Sequence, residues 1–168
     1  MATYTLISSY EATGSVASIT FSSIPQTYTD LVLVHSIKST RTDGMADMIA
    51  EINGDTSALT RERMYGDGTA SNTGSDSGNL LGNSNQTAAG IFSSCKLYFP
   101  NYTRTAFYKN FLSDGVVEST SSGGERSKSF LSTQWANNNA ITSIRIFDNT
   151  SNNFIQYSTA YLYCISNA

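Results

Sequence analysis

Charged residues are scarce in this chain of 168 residues. Lys and Arg together number 10 and Asp and Glu 13, which gives a formal charge of −3 and a charged fraction of 14%. So few basic residues exclude a nucleic-acid binder that works by neutralising phosphates. The chain has no apolar run of ~18 residues, the length of a membrane span, and its first residues lack the basic and apolar segments of a secretory signal. We therefore expect no direct nucleic-acid partner and no membrane partner.

Cysteine and histidine are nearly absent. Cys95 and Cys164 lie far apart and outside any CxxC motif, and His35 is the only histidine. Zinc and iron–sulfur sites need several such ligands at close spacing, so these frameworks are excluded. Each cysteine sits inside an apolar run, which favours two buried free thiols over a disulfide. We expect no cofactor and no metal site.

The residues that could support hydrolysis are few. His35 falls on the apolar face of a predicted strand, which indicates packing or an interface rather than proton transfer. Asp43, Asp47 and Glu51 are close enough in sequence to suggest the paired carboxylates of a glycosidase. They lie beside a turn and on an outward strand face, which is typical of ordinary solvation. The sequence therefore predicts a protein that is not an enzyme, without catalytic residues.

Period-two alternation of apolar and polar residues runs through most of the chain. The alternation predicts about nine strands: Tyr4–Ser8, Val16–Phe21, Asp30–Ile37, Ala46–Asn53, Ile91–Phe99, Arg104–Leu112, Ser129–Trp135, Thr142–Phe147 and Thr159–Ile165. The predicted core includes Ile19, Phe21, Leu31, Leu33, Ile52, Leu97, Ile144, Ile146 and Leu162, with Ala17 inward as well. Asp30–Ile37 is apolar on both faces, as expected of a strand in the middle of a sheet or of one whose second side is covered by a partner.

Turn residues separate these strands, and long helices are missing from the pattern. Asn53-Gly54 is the sharpest hairpin signal, since both residues tolerate positive φ. Residues 56–65 fit a short helix and a strand equally well. So many short strands need two stacked sheets to bury their apolar faces. We predict an all-β fold, an antiparallel two-sheet β-sandwich of jelly-roll type, with residues 1–168 forming a single domain.

Two stretches interrupt the alternation, residues 66–90 and the shorter 113–127. The first is rich in Gly, Ser and Asn, and is predicted to be a long loop, either a solvated excursion or a contact loop. Leu80 and Leu81 favour contact slightly. Its acidic Gly-containing segments raise the alternative of bound calcium, although the spacing lacks the ligand positions of an EF-hand.

The 10 tyrosines are the most informative polar groups. Tyr161 and Tyr163 share one face of the last predicted strand, and others lie in or beside further strands: Tyr98, Tyr102, Tyr108 and Tyr157. Large rigid rings with a polar tip suit protein interfaces. Ordinary cross-strand aromatic pairs are an equally good interpretation.

Both ends of the chain resemble a group of tailed-phage virion proteins. The segments that carry the resemblance are YTLISS near the start, VASITFSSIPQTYTDLVLV at 16–34, AITSIRI at 140–146, NFIQYST at 153–159 and AYLYCI at 160–165. This group consists of small β-sandwich structural proteins, found as capsid decoration (cement) proteins or as modules of tails and fibres. Cys164 departs from the pattern, since glycine is expected before the final isoleucine.

The resemblance implies a non-enzymatic structural protein of a bacteriophage virion, assembled in the host bacterial cytoplasm. The leading interpretation is a protein that decorates and stabilises the outer capsid surface. Its partner would then be the major capsid protein. It would assemble as a homo-oligomer, preferably a homotrimer. The alternative is a glycan-binding receptor module at the tip of a tail fibre, with tail components as partners. A polysaccharide-degrading enzyme is the weakest interpretation, for want of a catalytic constellation.

Overall fold

A computed structural model describes residues 3–41, 45–66, 70–76, 80–85, 90–117 and 127–166. The described part of the chain is all-β, with no helix and therefore none able to cross a membrane. Its strands are β1 (Thr3–Glu11), β2 (Ser18–Phe21), β3 (Asp30–Ile37), β4 (Met45–Ile52), β5 (Leu59–Gly66), β6 (Ser71–Asp76), β7 (Leu80–Asn85), β8 (Ser93–Phe99), β9 (Lys109–Val117), β10 (Ser127–Trp135), β11 (Ile144–Asp148) and β12 (Thr159–Ser166).

The strands form two antiparallel sheets with jelly-roll connectivity. The large sheet has eight strands in the order β1-β12-β3-β8-β9-β10-β5-β6, and the small sheet has four in the order β2-β11-β4-β7. Four nested pairs build the roll, namely β1 with β12, β2 with β11, β3 with β8, and β4 with β7. This is the double-sheet arrangement of a jelly roll. The other four strands, β9, β10, β5 and β6, widen the large sheet beyond β8.

One hydrophobic core lies between the inner faces of the two sheets. Every predicted core residue except Ala17 is at most 3% exposed, and each belongs to the same cluster. The small sheet contributes Ile19, Ala50 and Ile146, while the large sheet contributes Leu33 and Leu97. Alternate residues of each strand face inward, as period two requires. The fold class predicted from the sequence is thus confirmed.

The structure corrects four details of the sequence prediction. Ala17 is exposed rather than inward, because β2 begins only at Ser18. In the undecided stretch 56–65, residues 59–65 belong to strand β5 and residues 56–58 precede it. The predicted loop over 66–90 is wrong for 71–76 and 80–85, which are the strands β6 and β7. Likewise, 113–117 continues β9 as a strand. Of the two segments considered for calcium, 67–68 and 76–79, residues 67–68 and 77–79 lie outside the described residues, and Asp76 ends strand β6.

A tight turn at Asn53-Gly54 links the small sheet to the large one. Both residues have positive φ, 53° and 79°, as the sequence predicts. Asp55 follows the turn, and its Oδ1 accepts the Ser57 backbone N–H at 2.8 Å, while its Oδ2 accepts the indole N–H of Trp135 at 3.1 Å. One carboxylate therefore holds the start of β5 and the buried ring that ends β10.

Replacing Asp55 with alanine is expected to lower the free energy of unfolding by about 2 kcal/mol, the cost of losing hydrogen bonds to a charged group. The pKa of the Asp55 carboxyl is lowered by the Trp135 indole and then by Ser57. Because the folded state holds this pKa down, the stabilisation is present above the ordinary carboxyl pKa and is lost as the pH falls through the folded value. Urea unfolding of Asp55→Ala and of the exposed-site control Thr56→Ala measures the difference. Equal losses in the two variants would contradict the role of Asp55.

Candidate interaction surface

The outer face of the large sheet carries a row of apolar side chains on five neighbouring strands. The strand registers place Leu6 of β1 opposite Tyr163, and Tyr163 opposite Val32. Val32 is in turn opposite Tyr98, and Tyr98 is opposite Leu112 of β9. We call these five residues the apolar row. Because one face of this sheet already covers the core, the row lies on the side facing solvent.

The middle of the apolar row is packed and its two ends are open. Val32 is only 1% exposed, because it lies between Tyr98 and Tyr163, whereas Leu6 and Leu112 are 50% and 42% exposed. Tyr4 adds a further ring, which meets Tyr163 edge to face with 6.5 Å between centroids. The row therefore presents a broad apolar surface, and the ring of its member Tyr163 already contacts the neighbouring Tyr4 ring.

A hydrogen bond to Asp30 fixes the orientation of the Tyr98 ring. The Tyr98 hydroxyl donates to Asp30 Oδ2 at 2.9 Å, and the Asn101 backbone N–H donates to Asp30 Oδ1 at 2.8 Å. Burial and the neighbouring Asp30 carboxylate raise the pKa of Tyr98, so the phenol stays neutral. A ring held in this way loses little side-chain entropy when a partner covers it.

A second apolar patch lies farther along the same face. Met64 of β5 and Phe130 of β10 stand directly opposite each other and are 61% and 44% exposed. They border a shallow pocket of about 360 Å³, whose lining also includes Lys128 and Thr73. The extension of the jelly roll by β9, β10, β5 and β6 thus enlarges the apolar surface.

Charged side chains lie beside the apolar row and the second patch, with Asp114 directly opposite Phe130. Lys96 of β8 is opposite Asp114 of β9, and Lys128 Nζ lies 3.6 Å from Asp114 Oδ1 with both side chains more than half exposed. Such exposed pairs contribute little stability. At an interface they would select a partner and its register more than they would strengthen binding.

The histidine and the carboxylates considered for catalysis do not come together in one site. His35 is 1% exposed on the inner face of β3, within the core. Asp47 lies 3.7 Å from the Arg63 guanidinium, and Glu51 lies 3.1 Å from that of Arg145. Asp43 lies outside the described residues. Among the residues that the structure describes, no three of His, Cys, Asp and Glu form a metal-binding group.

Both cysteines are free and buried, as predicted from the sequence. Burial raises the pKa of the Cys95 thiol to about 12 and also raises the pKa of Cys164. Both thiols are therefore protonated near neutral pH. A buried protonated thiol acts as a small apolar group rather than as a nucleophile.

The tyrosines divide between the surface and the core. Tyr161 and Tyr163 share the outer face of β12, as predicted from the sequence. Tyr102 is fully buried, and its hydroxyl donates to the Pro25 carbonyl oxygen. Tyr108 and Tyr157 are 49% and 64% exposed outside the strands. Tyrosine content alone therefore does not mark the interaction surface.

Sequence reasoning missed the exposed apolar residues of this surface other than tyrosine, among them Leu112, Phe130, Met64 and Val116. A signal for three of them is visible in the sequence. Adjacent apolar residues occur at Phe111-Leu112, at Val116-Val117 and at Phe130-Leu131. Successive side chains of a strand point to opposite faces, so an adjacent pair places one apolar residue in solvent.

No protein-family model matches the chain, and no curated protein and no solved structure matches it. The protein is therefore classified by its fold and its surface: an antiparallel jelly-roll sandwich whose widened sheet presents apolar side chains to solvent.

Proposed function

We propose that the protein is a non-enzymatic structural component of a tailed-phage virion, which binds the outer surface of the capsid and reinforces it. The observation that carries the proposal is the exposed apolar face of the large sheet, with Leu6, Leu112, Phe130 and Met64 each at least 42% exposed. Exposed apolar patches rimmed by polar residues are typical of protein interaction sites. The resemblance of both chain ends to virion proteins supports the choice of partner, the major capsid protein.

The dimensions of this face suit a specific protein contact. Eight strands at about 4.8 Å spacing and about 20 Å of strand length give a face of roughly 700 Å². A standard interface buries about 800 Å² on each partner. Apolar burial contributes about 25 cal/mol per Å² before the cost of association is subtracted. A face of this size is thus comparable with one side of a standard protein interface.

A charge placed within the apolar row is expected to weaken this contact. Leu112→Glu puts a carboxylate at an exposed position, so the fold is retained, but binding a partner there would desolvate the new charge. The variant is added to particles that lack this protein. We expect its affinity for them to be at least about tenfold lower than that of the wild type, equivalent to about 1.4 kcal/mol. The matched control is Thr20→Glu on the small sheet, opposite Arg145. Undiminished binding of Leu112→Glu would contradict the proposed surface.

Binding of the protein to the capsid is also expected to survive high salt. The proposed contact is mostly apolar, and at about 1 M salt electrostatic attraction is screened beyond about 3 Å. Particles washed in such a buffer should retain the protein, as measured by the fraction recovered in the supernatant. Quantitative release as a monomer would mean that ion pairs hold the contact.

A further inference from the structure

Strand β1 has an unpaired edge. It lies at one end of the large sheet and, within the described ranges, pairs on one side only, with β12. Every residue of β1 is exposed or half-buried. The free side of an end strand presents backbone N–H and C=O groups that another strand can bind. β1 therefore offers an edge along which another strand can pair.

The features that normally keep an edge strand from pairing are missing from most of β1. Its first eight residues, Thr3–Tyr10, contain no Lys, Arg, Asp, Glu or Pro. Charged residues, proline and bulges are the usual protection of an edge. One bulge occurs in β1, between Leu6 and Ser8, and it leaves Thr3–Leu6 in regular register.

The other end strands are shorter and less suited to pairing. β6 has six residues and contains Gly74 and Asp76. In the small sheet, β2 has only four residues, and β7 has six with Gly82 among them. Glycine weakens a strand and a carboxylate repels a like neighbour. β1 is thus the edge best able to accept another strand.

We infer that β1 pairs in an antiparallel manner with β1 of a second copy of this chain, across a two-fold axis. An identical strand is a suitable occupant because Thr3–Tyr10 is uncharged, so two copies meet without repulsion. A two-fold contact uses the same surface on both subunits and is complete at two copies. The backbone hydrogen bonds of the added strand supply the attraction.

The side chains favour one register for this pairing. Residues that share a face must stand opposite each other, and Tyr4 and Leu6 both lie on the outer face, opposite Ile165 and Tyr163 of β12. With Thr5 on the axis, Tyr4 faces Leu6 of the second copy. These two side chains are 56% and 50% exposed, and an aromatic–aliphatic cross-strand pair stabilises a sheet. The two apolar rows then join into one surface.

Lysine at position 5 is expected to break the dimer. Thr5 is exposed, so Thr5→Lys is compatible with the monomer, but in the paired register the two ammonium groups stand opposite each other. We expect a dissociation constant at least about tenfold higher, from like-charge repulsion across the strands. Analytical ultracentrifugation of the purified protein measures it. The control is Thr60→Lys, an exposed strand position away from the β1 edge. A monomeric wild type, or a Thr5→Lys variant that dimerises as the wild type does, would overturn the inference.

A disulfide between two copies tests the register of the β1 pair. Its formation is a positive result that a misfolded variant would not imitate. Directly opposite residues have Cβ atoms about 4.5–5.5 Å apart, close to the separation in a disulfide. Under mild oxidation Thr5→Cys should form a covalent dimer in high yield, while Thr60→Cys should not. Cys95 and Cys164 do not interfere, because both are buried. Equal cross-linking of the two variants would overturn the register.

These experiments use free protein in solution, so they are independent of whether the protein binds capsids. A Thr5→Lys monomer that still binds particles would support the β1 contact and leave the proposed function standing. The trimer implied by the sequence resemblance stays a prediction, and it would need a second contact besides the two-fold one.

Discussion

Replacing Phe21 with alanine is expected to lower the free energy of unfolding by about 3–5 kcal/mol, as for other buried phenylalanines. Phe21 is 3% exposed and stands opposite Ile144 at the end of β2. Both belong to the core between the sheets. Because β2 is an end strand of only four residues, few other side chains hold it in place. Removal of the ring therefore leaves a cavity and loosens the strand.

Thr20→Ala is the matched control for this effect. Thr20 is the preceding residue on the same strand and is exposed, so its truncation should change stability by no more than about 0.5 kcal/mol. Urea denaturation of the two variants and the wild type gives the comparison. A loss below about 1 kcal/mol for Phe21→Ala would mean that the β2 end of the sandwich is not packed as described.

Acidification from pH 7 to pH 4 is expected to cost about 3 kcal/mol of stability through His35 alone. Burial lowers the pKa of His35 from 6.5 to about 4, and within the described residues neither ring nitrogen has a hydrogen-bond partner. Between these two pH values the unfolded chain binds a proton that the folded chain does not. The contribution of neutral His35 to the free energy of unfolding is therefore fully present above pH 6.5 and declines as the pH falls toward 4.

His35→Leu isolates this contribution, since it removes the titrating group and fills the site with an apolar side chain. At pH 7 the variant should be at least as stable as the wild type, because it also removes two unsatisfied buried nitrogens. At pH 4 the difference in its favour should grow by about 3 kcal/mol. His35→Gln, which is polar but does not titrate, should show the same pH profile as the leucine variant. If the free energy of unfolding varied with pH in the same way for the wild type and for His35→Leu, the predicted contribution of His35 would be contradicted.

Much of the jelly roll was predictable because its strands alternate one apolar and one polar residue. The pattern Ser18-Ile19-Thr20-Phe21 is one example, and the inward pair there is buried. The central position of β3 was also predictable, since a strand between two neighbours with a covered outer face is apolar on both sides, as Leu31 and Val32 are.

Strands β6 and β7 were not predictable from periodicity. Their sequences, SNTGSD and LLGNSN, contain Gly and Asn and show no apolar alternation. Their pairing partners hold them instead, β5 in one case and β4 in the other. Such pairing is a tertiary effect, and a local pattern does not record it.

The candidate interaction surface was predictable only in part. Tyr161 and Tyr163 signalled it within a single strand, but the apolar row joins side chains from β1, β12, β3, β8 and β9. Leu6 and Leu112 are more than one hundred positions apart in the sequence. Their alignment follows from strand order and register, which are set by the whole fold and not by neighbouring residues.

The number of copies of this protein in each purified virion tests the proposed function most directly. Quantitative mass spectrometry against the major capsid protein gives that ratio. A protein that decorates the capsid should be present in hundreds of copies per particle and should be depleted by the Leu112→Glu change. A handful of copies would place the protein on the tail, as expected of a receptor-binding module, and its absence from the particle would contradict a virion role altogether.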